Sequence, residues 1–122
     1  MKDLIEKFFN EAGKEATAYL NVGCKFVATA GDRHYQIEVV DEGKVKVEEG
    51  KMEGDLEIAG EASVMEELFS SASVEEFAEK VNSYLVQGKK PTLKIFMERS
   101  IDNTKKFLRD YYITLAKLHI IR

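Results

Sequence analysis

One cysteine, one proline, two histidines and no tryptophan occur among the 122 residues. With Cys24 alone, an internal disulfide and a thiolate metal cluster are both excluded, which agrees with a reducing compartment. No run is long and apolar enough to span a bilayer, and MKDLIEKFF is interrupted by charge too often for a signal peptide, so a cytoplasmic location is expected. Net charge is −4, and the basic residues are interleaved with acidic ones instead of forming a stripe, which disfavours nucleic acid as a partner. Gly-rich phosphate loops, nucleophile elbows and zinc-ligand spacings are missing too. What remains, 44% hydrophobic and 33% charged residues, suits one globular domain over residues 1–122 that can bury a core unaided by disulfide or metal.

The most ordered pattern runs from His34 to Gly60. Tyr35, Ile37 and Val39 alternate with Gln36, Glu38 and Val40, and Val45 with Val47, then Leu56 with Ile58, repeat the two-residue period. This predicts a curved antiparallel sheet with one wet face and one apolar face that needs a cover. Before it, CKFVATA is a strand candidate that Gly31-Asp32 turns into HYQIEVVD; Asp41-Glu42-Gly43 supplies the next turn. The connection from Gly50 to Gly54 is looser, and its spacing leaves hairpin and crossover both open.

Helical periods flank these strands. From Asp3 to Leu20, Leu4, Ile5, Phe8, Phe9, Ala12, Ala16, Tyr19 and Leu20 recur at three- and four-residue steps, predicting one amphipathic helix about 27 Å long with Asp3 and Glu6 at its cap. After Gly60, Ser63 with Glu66 and Ser73 with Glu76 are capping-box pairs, each leading into apolar spacing. The second of these helices is expected to stop near Gly88, before Pro91. TLKIFM reads as a fifth strand, and Ser100 caps a last helix striped by Ile101, Thr104, Phe107, Leu108, Tyr111, Leu115 and Leu118. The predicted order is therefore α-β-β-β-β-α-α-β-α, an α+β domain.

That order, with DEGKVKVEEGKMEGDLEIAG and QGKKPTLKIF, resembles the sterol carrier protein 2 (SCP2-like) family. The matching positions are Asp41 with Gly43, Gly50, Asp55 with Ile58, and Gly88 with Leu93, Lys94 and Ile95; together they span roughly His34 to Leu115. Glu42 lengthens the Asp41–Gly43 turn, and the final helix is longer and more aromatic than in a minimal carrier. The resemblance implies a five-stranded, mostly antiparallel sheet with one face covered by helices. It also implies a cavity between them for a lipid or fatty acyl group, bound without chemistry and without a cofactor.

The candidate lining is Met65, Leu68, Phe69, Phe77, Val81, Met97, Phe107, Leu108 and Tyr111, adaptable Met and large aromatics that suit flexible chains. The same spacing also describes side chains that pack only against one another, because periodicity does not distinguish a hollow core from a filled one. The alternative reading is thus a structural or interaction module with a filled core that homodimerises through its C-terminal helix. Catalytic residues are not expected. A Cys24–His34 pair would require the two to face each other across a hairpin, and the acidic run Glu48, Glu49, Glu53, Asp55 and Glu57 lacks the spacing of an oxygen-ligand metal loop. Asp41 and Asp55 read as turn formers.

Overall fold

The structure, a computed structural model, describes residues 1–18, 20–50, 53–54 and 56–97, without the side chains of Phe96 and Met97. Its sheet consists of β1 (Lys25–Ala30), β2 (Arg33–Asp41), β3 (Lys44–Glu49), β4 (Leu56–Gly60) and β5 (Lys94–Met97) in the spatial order β3-β2-β1-β4-β5. The first three strands form a meander. Gly31, at φ 65°, turns β1 into β2, and Gly43, at φ 66°, turns β2 into β3, both backbone conformations that only glycine adopts freely. Asp41 Oδ1 accepts the amide of Glu42 at 2.8 Å and fixes the second turn. The Gly50 connection is a crossover: β4 lies parallel to β1, pairing Val27 with Glu57 and Ala28 with Ile58, while the other ladders are antiparallel.

The helices are α1 (Lys2–Asn10), α2 (Lys14–Thr17), α3 (Ala62–Phe69) and α4 (Val74–Leu85). The single helix expected over Asp3 to Leu20 is broken. At the break the Gly13 amide donates to the Phe8 carbonyl at 2.6 Å, and a Cβ on Gly13 would lie 2.4 Å from the Phe8 ring. The chain folds back over the phenyl ring because residue 13 has no side chain. Asp3 sits in the first turn of α1 without capping it; the N-cap is Met1. Glu61, not Ser63, is the N-cap of α3. Ser73 does cap α4, its Oγ accepting from the Glu76 amide at 3.1 Å. Beyond α4 the Lys89 amide donates to the Ser83 carbonyl at 3.0 Å, closing the helix end around Gly88 at φ 72°.

The core lies between the helices and the sheet face carrying Phe26, Ala28, Tyr35, Ile37, Val39, Val45, Val47 and Ile58. The opposite face is wet only at its margins. At its centre Val27, Thr29 and Gln36 are buried, and Gln36 Oε1 has no hydrogen-bond partner among the described residues. Val40 is exposed beside the irregularity between Val39 and Asp41. No helix among the described residues is long and apolar enough to cross a membrane.

Candidate functional site

The structure brings Met65, Leu68 and Phe69 of α3 together with Phe77 and Val81 of α4 in the core, none more than 8% exposed. Met97 ends β5 opposite Leu56; Phe107, Leu108 and Tyr111 lie outside the described residues. The interior they share is occupied by aromatic rings from three further places in the chain. Phe8 stacks on Phe77 at 4.9 Å between centroids and meets Phe69 edge-on at 5.8 Å. Phe9 meets Phe26 at 5.4 Å and Phe69 at 5.7 Å, and Phe69 lies 5.7 Å from Phe77. Such offset and edge contacts add to the burial of each ring. Phe8 and Phe9 belong to the apolar spacing of the first predicted helix and Phe26 to a strand candidate, but the sequence carries no sign that they converge on α3 and α4.

A half-open pocket of about 370 Å³ opens where α1 passes the junction of α3 and α4. Leu4, Lys7, Phe8, Glu11 and Ala12 form one wall; Phe69, Ser70, Ser71 and Ala72 form the other. The first wall follows from the helical period, which aligns Leu4, Lys7, Phe8 and Glu11 along one strip. Its floor is apolar, because Phe8 and Phe69 are buried there. The hydroxyls of the second wall are committed: Ser70 Oγ donates to the Glu66 carbonyl at 2.6 Å and Ser71 Oγ to the Leu68 carbonyl at 2.7 Å. The Ala72 amide, just before the cap of α4, donates to Glu76 Oε2 at 2.5 Å, so that carboxylate is engaged as well. The lining holds no cysteine or histidine, and it can seat an apolar group under a polar rim.

Cys24 and His34 stand at opposite ends of the β1–β2 hairpin. The Cys24 carbonyl accepts from the Val39 amide, whereas His34 pairs with Thr29, so the two do not meet. His34 Nδ1 lies 2.8 Å from Thr29 Oγ1, and the same hydroxyl donates to Glu57 Oε2. With its proton given to the carboxylate, the hydroxyl accepts from His34 Nδ1–H, a tie between β2, β1 and β4 on the face away from the helices. No sequence spacing announced it, because Glu57 reaches Thr29 only through the parallel crossover. The other acidic side chains are dispersed: Glu48 pairs with Lys46 at 2.8 Å, Glu49 with Arg33 at 3.5 Å and Glu53 with Lys25 at 3.5 Å. Asp55 lies outside the described residues. Among the described residues no three His, Cys, Asp or Glu side chains are placed to hold a metal.

No family model and no curated protein matches the chain. Among solved structures it is similar to a UbiJ-SCP2 ubiquinone synthesis protein, with 16% identity over 93% of this chain and 86% of the other and a TM-score of 0.51. It is also matched to a conserved hypothetical protein of Thermus thermophilus described as a possible sterol carrier protein. There the identity is 14% over 98% of this chain and 82% of the other, with a TM-score of 0.41, and the fold assignment rests on the first. The mixed five-stranded sheet, its helical cover on one face and this likeness together establish an SCP2-like fold.

Proposed function

We propose that the protein binds a hydrophobic ligand, a lipid or fatty acyl group, non-covalently and without catalysis, and releases it unchanged to an acceptor in the cytoplasm. The observation that carries this reading is the pocket between α1 and the α3–α4 junction. Its volume, about 370 Å³, falls within the ~300–1,000 Å³ common for small-molecule sites. An acyl chain entering there rests on Phe8 and Phe69, and behind Phe69 stand Met65, Leu68, Phe77 and Val81. In this reading Met97, Phe107, Leu108 and Tyr111 complete the apolar lining. Native mass spectrometry of the purified protein tests it: a copurifying lipid is expected, and Ala12→Trp, which fills the pocket from its exposed rim, is expected to remove it. Protein that never carries or takes up a fatty acid, with Ala12→Trp indistinguishable from wild type, is the contrary result.

A second reading draws on the ring contacts: Phe8 against Phe77 at 4.9 Å is the packing of a filled interior. In that case the domain is an interaction module that homodimerises through its C-terminal segment. Solution mass then falls from two chains to one when the protein is truncated after Lys117, and no lipid accompanies either form.

A further inference from the structure

β3 is the outermost strand on its side of the sheet. Its register with β2, Val45 opposite Val39 and Val47 opposite Ile37, turns the backbone groups of Val45 and Val47 to the outer edge. An edge of this kind is a template for pairing with another chain. Here it is occupied by side chains of α1. Asn10 Oδ1 accepts from the Val45 amide at 2.8 Å, and Asn10 Nδ2 donates to the Val45 carbonyl at 3.3 Å. Glu6 Oε2 accepts from the Val47 amide at 3.4 Å. The Asn10 carboxamide offers Val45 an N–H donor and a C=O acceptor, the groups a peptide backbone offers, so Asn10 stands where the next strand's backbone would stand. The match extends to spacing. Glu6 and Asn10 are separated by about 6 Å of helix rise, and Val45 and Val47 by about 6.6 Å of strand.

We infer that Glu6 and Asn10 are a removable latch on this edge, and that the unlatched edge pairs antiparallel with β3 of a second copy of the chain. The strand is self-complementary about Val47. A two-fold axis through Val47, perpendicular to the sheet, sets Val47 of each copy against Val47 of the other on the apolar face and leaves Val45 facing the exposed Glu49 at its margin. It places Lys46 of each copy opposite Glu48 of the other on the outer face, where the two are already paired within one chain. This charge match selects a second copy over an unrelated extended peptide. The latch is separable from the fold, because α1 is anchored by Ile5, Phe8 and Phe9, all buried, while Glu6 and Asn10 are only partly so.

The test is the solution mass of Glu6→Ala/Asn10→Ala across a concentration series, with helix and sheet content checked by circular dichroism. The variant is expected to show one association step that wild type lacks. Adding Lys46→Glu, which sets glutamate against Glu48 on both sides of the axis, is expected to abolish that step. A folded double variant that associates no more than wild type overturns the inference, as does an added step indifferent to Lys46→Glu. Dimerisation through the C-terminal segment would be common to all these proteins and is thereby separated. Should the double variant not fold, hydrogen exchange on wild type and on Asn10→Ala decides: the Val45 amide is expected to be protected in the first and to exchange about tenfold faster in the second. Val45 and Val47 amides that already exchange freely in wild type overturn the latch.

Discussion

Glu67 and Tyr84 join α3 to α4 through a hydroxyl donating to Oε2 at 2.5 Å, with Lys89 Nζ 3.6 Å from the same carboxylate and 5.0 Å above the Tyr84 ring. The Tyr84 bond, and after it Lys89 and Lys80, hold the Glu67 carboxyl below the usual carboxylate range; the carboxylate and burial push the Tyr84 phenol up. A depressed folded-state pKa contributes stability above the unfolded value that is lost as pH falls through the folded one. A raised phenol contributes stability below its unfolded value that is lost as pH rises through the folded one. Tyr84→Phe is therefore expected to lower stability at neutral pH by roughly 1 kcal/mol and to flatten both limbs, as urea unfolding at stepped pH would show. A variant with the wild-type pH profile would mean that solvent already screens the pair. Gly54 has a steric role: a Cβ there would lie 2.8 Å from Phe26 Cα and 3.0 Å from the Lys25 carbonyl oxygen, where the crossover passes the start of β1. Backbone does not yield as a side-chain tip does. Gly54→Ala is expected to cost about 1–3 kcal/mol in the same assay.

At the scale of elements, the start of α4 shows what is local. Ser73 accepts the Glu76 amide, and Glu76 reaches back to the amide of Ala72, one residue before the cap, so both contacts lie within five consecutive residues. Ser73→Ala should cost about 1 kcal/mol, read as a lowered midpoint of thermal unfolding, while Ser63→Ala, inside α3 and capping nothing, should leave it nearly unchanged. The same contrast explains how much of the fold was legible. The strands, their turn glycines and the cap at Ser73 depend on neighbours within a few residues, and they fell where periodicity placed them. The break at Gly13 depends on where the Phe8 ring goes, and that is set by Phe69 and Phe77, about sixty residues away. The parallel pairing of β4 with β1, and the Thr29–Glu57 contact it creates, follow from sheet packing that no spacing encodes. The candidate pocket shows the same division between local and distant causes. Helical spacing offered Met65, Leu68, Phe69, Phe77 and Val81 as a ligand lining; they meet in the core, and of them only Phe69 borders the pocket, whose other wall comes from the α1 strip.

For the molecule as a whole, the two readings differ in one physical respect: in one the space between sheet and helices is closed by its own rings, in the other it continues from the pocket. Phe8 is the residue on which the two readings diverge, since its ring both floors the pocket and stacks on Phe77. Phe26 belongs to the same ring cluster through Phe9, but it does not border the pocket. Each can be shortened to Leu at a cost of about 1 kcal/mol, small against the ~5–15 kcal/mol by which domains are stable. The volume freed at residue 8 adds to the pocket; the volume freed at residue 26 stays enclosed. A ligand that binds only the folded state stabilises it by about 2.7 kcal/mol at a hundredfold excess over Kd. With a long-chain fatty acid present, Phe8→Leu is therefore expected to gain more in unfolding temperature than wild type, and Phe26→Leu no more than wild type. Equal gains in both variants would place binding away from this pocket. No gain in any of the three proteins would favour the filled core, in which Phe8 serves as packing alone.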